Sequence, residues 1–426
     1  MFRTSRYRWR FRLRNGRRMN RSRRGIKGVL AKRTSQAAVF IGVVAGACLV
    51  MLLRVPPEPP STRVRWDEVS RLAPRSGPHY LPLASSPSMS LEGEVVAFVD
   101  GTARLTATDV PTASEAHRPE EGHRSAYFWT ARDDELYRIV VPDDAPAVAS
   151  AATPDGGRVV VVTERTTPRV GGAPPRSRLW MFDIRSSELT RGPRSPRGYD
   201  SFDPYVAAGE RAVAISLHSR EQNANRIAIW PKSGKRMFFL NPNLGRPWHT
   251  EPQRVANSDD VLYRSLDRRH DSFHITSLSS RATSPLTFPD EVEEALVAEA
   301  LEVVVSVPVR TGGVRVDVDG DAVATFDGAR PALAGDGSLV AFEKGDSLEV
   351  EPRIHVYDVE RDVTHQLEIA WEDASVPLRG RDPILNYSGS RMLLRVDYGL
   401  NEAALERDDS DLFWLVDLSP ITEGDG

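Results

Sequence analysis

The chain has a single cysteine, Cys48, among 426 residues. One thiol excludes an intramolecular disulfide framework and a cysteine-rich zinc site. A domain of this length must therefore be held by buried apolar surface alone. Acidic residues are absent from one whole region: residues 1–33 carry fourteen Arg or Lys and no Asp or Glu. The rest of the chain then holds 42 basic against 59 acidic residues, near −17, although the whole sums to −3. A basic head on an acidic body implies different surroundings for the two parts. Long hydrophobic runs are scarce too. The one uninterrupted run is Ala37–Leu53, seventeen apolar or small residues, which Ser35 and Gln36 extend to nineteen before Arg54.

That run is at the short end of what crosses a bilayer as a helix. Ala45-Gly46-Ala47-Cys48 has the small-residue spacing of a lipoprotein cleavage box, which makes Cys48 a candidate lipid attachment point. Against this, Leu49-Val50-Met51-Leu52-Leu53 follow at once, where a lipoprotein turns polar. An uncleaved anchor over residues 35–54 is the expectation, with lipidation at Cys48 or simple cleavage as alternatives. Basic residues crowd the side before the run, so residues 1–34 are expected in the cytoplasm, disordered, and everything after Arg54 outside it. If the source is Gram-negative, that outside is the periplasmic face of the inner membrane. Arg23-Arg24 weakly matches a twin-arginine signal, and Met19 is an alternative start. Arg6-Tyr7-Arg8-Trp9-Arg10-Phe11-Arg12 reads as a topology determinant with contact to acidic lipid as an alternative, and nucleic-acid binding is disfavoured. Val55-Pro56-Pro57-Glu58-Pro59-Pro60 favours an extended polyproline spacer, opening a lead-in over residues 55–78.

From residue 79 to 420 the chain is repetitive, ahead of a short acidic tail at 421–426. Five prolines, Pro87, Pro204, Pro252, Pro331 and Pro383, each precede an apolar strand residue by nine positions, and a polar turn lies between. Examples are Gly335-Asp336-Gly337-Ser338 before Leu339-Val340-Ala341-Phe342, and Ser388-Gly389-Ser390-Arg391 before Met392-Leu393-Leu394. In the second unit Ser150 replaces the proline, and Thr153-Pro154-Asp155-Gly156-Gly157 keeps the register. A second strand with aromatic alternation follows, as in Arg178-Leu179-Trp180-Met181-Phe182-Asp183. A third, such as Glu188-Leu189-Thr190, comes after a short turn. Turn residues at fixed offsets between β-branched and aromatic runs mark hairpins. Four strands per unit at intervals of roughly 40–60 residues read as blades of an all-β propeller. Seven four-stranded antiparallel blades are expected, with six or eight as alternatives. The fifth is the weakest, because Glu291–Leu301 is helix-like in composition. The last lacks an outer strand, which Tyr80-Leu81-Pro82-Leu83 is expected to supply.

The unit resembles the TolB-like propeller repeat, and Thr153-Pro154-Asp155-Gly156-Gly157 through Leu189-Thr190 is its closest copy. The resemblance covers about residues 80–418. It implies a propeller and, since TolB-like proteins bind a peptidoglycan-associated lipoprotein, a role in binding envelope proteins. Those proteins carry an α/β domain before the propeller, for which the roughly 25 residues here leave no room, so the specific partner does not carry over.

Chemistry is hard to find. An anchored propeller also resembles the dipeptidyl-peptidase architecture, but no G-x-S-x-G elbow occurs. Asp317-Val318-Asp319-Gly320-Asp321 resembles the start of a calcium loop. Its glycine is fourth, however, and Gly328 stands where a bidentate Glu is needed, so a hairpin turn is expected. His270 and His274 would lie about 13 Å apart on a strand, too far to share a metal. No catalytic, cofactor-binding or metal-ligating residue is nominated, and no cofactor is expected. The expected function is a membrane-anchored, extracytoplasmic scaffold that binds an envelope protein, peptide or ligand. The alternative is a channel-type enzyme, a hydrolase or lyase acting on envelope saccharide or peptide. Carboxylates converging in the channel would separate the two.

Overall fold

The computed structural model describes residues 61–65, 69–71 and 87–422. Within the last span it omits 100–124, 143–144, 164–176, 197–198, 200, 220–223, 235, 241–247, 267–270, 300–301, 346–351, 372–373 and 398–410. The basic head, the apolar run with Cys48, His270 and Tyr80–Leu83 lie outside the described residues. No described helix is long and apolar enough to cross a membrane.

The described chain is a seven-bladed propeller of four-stranded antiparallel blades. Blade 1 comprises Ser88–Met89, Val95–Val99, Ala126–Thr130 and Glu135–Ile139 from the axis outward. Blade 2 comprises Ala147–Ala152, Arg158–Thr163, Arg178–Asp183 and Glu188–Arg191. Blade 3 has Ser201–Ala208, Ala212–Ser219, Ala224–Pro231 and Phe238–Phe239. Blade 4 has Trp248–Arg254, Asp260–Leu266, Asp271–Ser277 and Thr283–Pro285. Blade 5 runs through Val292–Val297, Val303–Pro308, Val314–Val318 and Asp321–Phe326. Its inner strand occupies the segment of helix-like composition, where buried Val292, Ala295 and Val297 pack inward. Blade 6 is Ala329–Leu333, Leu339–Lys344, Arg353–Asp358 and Val363–Trp371. Ser61–Arg65 pairs parallel to its outer strand, and Ala374–Pro377 pairs there too.

Blade 7 contains Arg381–Leu385, Arg391–Asp397 and Asp411–Asp417. Its outer strand is Val69–Arg71, antiparallel to Asp411–Asp417 with Ser70 opposite Leu415. The early chain thus closes the last blade, as the sequence implied, but with a different stretch. The apolar character of Tyr80–Leu83 misled because an outer blade strand needs only backbone pairing, which does not depend on apolar side chains.

Second and third strands carry the core. Trp414, Phe98, Phe342, Ile215 and Ile229 are all at most 1% exposed. The turn after each inner strand packs on the preceding blade, which explains the repeating glycine. A Cβ on Gly389 (φ 70°) would meet Leu339 of blade 6 at 2.9 Å, and one on Gly337 (φ 82°) would meet Val303 of blade 5 at 2.8 Å. Backbone bonds join the turns: Glu299 N–H donates to Gly335 O (2.8 Å) and Asp336 N–H to Tyr387 O (2.9 Å). Tyr387 N–H donates to Leu91 O (2.8 Å) and Leu91 N–H to Pro154 O (3.0 Å). Blades 5, 6, 7, 1 and 2 are therefore linked across the seam where the ring closes.

Candidate functional site

The repeat prolines decide the shape of the inner strands. Each inner strand is the axial edge of its blade, and an edge with free N–H groups invites pairing. Proline removes a donor there and is tolerated at a bulge. The register shifts between Thr250 and Gln253, Ala329 and Ala332, and Arg381 and Ile384. In each shift the residue before the proline is left-handed: Glu251 (φ 53°), Arg330 (φ 48°) and Asp382 (φ 52°). Such bulges re-aim a side chain, and here all three are charged.

These three residues form a charged rim. Arg330 Nη1 lies 3.2 Å from Asp382 Oδ1 and 3.6 Å from Glu343 Oε1. Arg395 Nη1 takes the other Asp382 oxygen at 3.1 Å. Asp382 N–H donates to Glu343 at 2.7 Å, and burial pushes the Glu343 carboxyl up. Glu251 reaches Arg264 Nη1 at 3.8 Å, and Arg264 Nη2 holds Asp271 at 2.6 Å.

Glu294, on the inner strand of blade 5, stands apart. It has no ion pair or hydrogen bond to any described residue. Burial pushes its carboxyl from the ordinary 4.5 to about 7, the neighbouring Glu251 and Glu293 and the more distant Asp382 add to the rise, and Arg330 opposes it. Among the described residues no cation lies within ion-pair distance of Glu294, and it is the one carboxyl on the wall of the axial cavity.

Inward from the rim lies an axial cavity of about 430 Å³ walled by residues of all seven blades. Pro87, Pro252, Pro331 and Pro383, with Leu296 and Leu333, give it an apolar lining. Its two charged wall residues are Glu294 and Arg254. Arg254 ends the inner strand of blade 4. Its Nη1 is closed to solvent with no hydrogen-bond partner, and no described carboxylate forms an ion pair with it. Burial lowers its pKa to about 10, countered by Glu210 at longer range. At the turn end, Tyr387 Oη donates to Glu299, and Asn257 Nδ2 donates to the other oxygen of that carboxylate at 3.0 Å. That trio is satisfied within itself and latches blades 4, 5 and 7.

No protein-family model matches this chain, and no curated protein matches it. Many solved structures are similar in fold, two oligogalacturonate lyases among them. One is an oligogalacturonate lyase in complex with manganese, at 12% identity and a TM-score of 0.57 over 84% of this chain and 94% of that one. The other is an oligogalacturonate lyase from Vibrio parahaemolyticus, at 9% identity and 0.55 over 82% and 93%. The likeness is one of fold.

The remaining sequence candidates fall elsewhere. Asp319 (φ 52°) and Gly320 (φ 86°) form the hairpin between the third and outer strands of blade 5, as the turn chemistry implied. Asp317 there is held by Arg315 Nη2 at 2.7 Å. His274 stacks on Tyr263 at 5.6 Å and bonds Ser272 through Nε2 at 3.0 Å. Among the described residues no group of three or more His, Cys, Asp or Glu could hold a metal ion. Sequence reasoning missed Glu251, Arg330 and Asp382, although a charge before a repeat proline was a visible signal. For Arg254 no local signal existed, and for Glu294 the only one was the break that Glu293 and Glu294 make in the apolar pattern of the strand.

Proposed function

We propose that this chain is a membrane-anchored, extracytoplasmic propeller that binds its ligand in the axial cavity and presents it, with the charged rim, to an envelope protein or peptide. One observation carries the reading: a cavity of about 430 Å³, walled by prolines and leucines alternating with polar side chains, holds two charged residues with no ion-pair partner among the described residues, Glu294 and Arg254. Pockets of this size, apolar with a few convergent polar groups, are where ligands bind. Fold-stabilising charges, by contrast, are paired. The apolar run at 37–53 and the charge asymmetry around it support the anchor and the orientation.

The test uses full-length protein in nanodiscs, incubated with an envelope extract and examined by native mass spectrometry. Leu296→Trp fills the cavity from an apolar wall position. Adducts on the parent that vanish from the variant support the reading; identical adducts on both, or none on either, defeat it. A reporter fused after Gly426 should be active only outside the cytoplasm.

A second reading, catalysis in the same cavity, rests on Glu294. A general acid or base works best with a pKa near the working pH, and Glu294 meets that condition. Two of the similar structures carry lyase names, at identities where only the fold transfers. Turnover of an envelope saccharide or peptide fraction that Glu294→Gln abolishes would favour this reading. Turnover indifferent to that change would remove Glu294 from it.

A further inference from the structure

We infer that the axial cavity takes a small carboxylate-bearing ligand, its anion docked on the guanidinium of Arg254. The inference rests on the binding reading above and names the chemical class of its ligand. A cation placed in a low-dielectric wall requires an anion; otherwise its desolvation goes uncompensated. Other arginines of the ring have a carboxylate within ion-pair distance: Arg264 has Asp271, Arg315 has Asp317, and Arg330 and Arg395 share Asp382. Arg254 has none, and its Nη1 is without any partner. Glu210, which favours its charged form, does so from beyond ion-pair distance and is itself exposed. Lys232 lies on the same side, adding positive potential, and Asp155 offsets it. A side pocket of about 10 Å³ beside Arg254 has room for about one water. A water hydrates the head but brings no charge.

The rest of the wall narrows the ligand. Planar guanidinium matches the two oxygens of a carboxylate, and its charge is delocalised over all three nitrogens, so an anion reaching any of them compensates the whole group. The proline and leucine lining favours a compact body with an apolar side. The other charged wall residue, Glu294 on the adjacent blade, has its carboxyl raised to about 7, so below neutrality it is largely protonated and donates to a hydroxyl or carbonyl instead of repelling the anion. Ser88, Ser90 and Asn386 already serve the backbone of Ala152, Val95 and Arg391. Recognition therefore falls to Arg254 and Glu294, with the amide of Gln253 beside the arginine on the wall.

The test is ligand-detected NMR on the full chain in nanodiscs with four probes. These are N-acetyl-alanine, glucuronate and the neutral amide of each; inorganic phosphate is a fifth, control anion. The expected result is binding of at least one carboxylate, about tenfold or more tighter than its amide. Arg254→Met should abolish that difference while the ligand-free Tm stays level or rises, since an uncompensated charge has been removed. Arg254→Lys should retain part of the binding. Preference for the acetylated amino acid assigns a peptide terminus, and preference for glucuronate assigns a sugar acid. Equal binding of acid and amide overturns the inference, as does a lower ligand-free Tm in Arg254→Met, or binding of phosphate alone. Should none of the five probes bind while Leu296→Trp still removes adducts, the carboxylate inference falls and the cavity reading stands. If Leu296→Trp also changes nothing, both fall.

Discussion

Glu294→Gln should change the pH dependence of stability in a defined direction. The parent carboxyl titrates at about 7 when folded, against 4.5 ordinarily, with burial the main cause. A raised folded pKa means the folded state holds its proton longer than the unfolded chain does. Stability from this group is full below pH 4.5, declines as pH rises, and is gone above about 7. The span corresponds to about 3 kcal/mol at 1.36 kcal/mol per unit. Glutamine keeps the shape and never ionises. Near pH 5 variant and parent should differ by about 1 kcal/mol or less, and near pH 8 the variant should be more stable by about 3 kcal/mol. The charges that face Glu294 (Glu251, Glu293, Asp382 and Arg330) remain in both proteins, and so does Glu343, whose rise has the same sign. Subtracting the two melting curves at each pH therefore isolates Glu294. Scanning calorimetry of the full chain at the two pH values reads the gap. A gap that stays constant between them would refute the claim that Glu294 is buried and unpaired.

Three further outcomes are expected. Gly389→Ala places a Cβ 2.9 Å from Leu339 at φ 70°, and should lower stability by about 1–3 kcal/mol. Adding Leu339→Ala should cost less than the sum of the single changes, a coupling that denaturant unfolding of the four proteins measures. His355 is 4% exposed and burial depresses its pKa to about 4; the unfolded chain then takes up a proton first, so stability falls as pH drops from about 6.5 to 4. His355→Phe should flatten that acid limb, as read by Tm against pH; an unchanged limb would assign the acid sensitivity to other groups such as His249. Cys48→Ala should leave the mass and the membrane fraction of the chain unaltered if the cysteine is incidental to an anchor, whereas loss of a lipid mass would establish lipidation.

The fold was legible because its signal is periodic. Prolines nine residues ahead of an apolar strand, and turn residues at fixed offsets, repeat often enough that the register survives weak copies. That spacing marks six blades; the fifth, without its proline, is inferred from its apolar strands, and the structure shows seven in all. The outer strand of blade 7 was not legible, because Val69–Arg71 is only three residues long and contributes backbone pairing to Asp411–Asp417, which any sequence can supply. The fifth blade was obscured by Glu293 and Glu294, which interrupt the apolar pattern of an inner strand. That interruption is itself the functional signal: the strand bulges between Val292 and Glu294, and one of the two carboxyls lines the axial cavity.

The charged rim belongs between these extremes. Glu251-Pro252, Arg330-Pro331 and Asp382-Pro383 are legible as register marks, and the same dipeptides mark the bulges that re-aim a charge. What the repeat cannot convey is which charge remains unmatched. Pairing is settled by the assembled ring, between blades and within them: Asp382 of blade 7 meets Arg330 of blade 6, and Glu251 of blade 4 meets Arg264 of its own second strand. Glu294 and Arg254 are left over only after those pairs have formed. A repeat architecture thus fixes the positions of its axial side chains locally and their chemistry globally, since each blade offers its inner strand to neighbours that differ in sequence. Sites in such rings are found by subtracting the pairs, and two residues remain here, one acid and one base, on the wall of a single cavity.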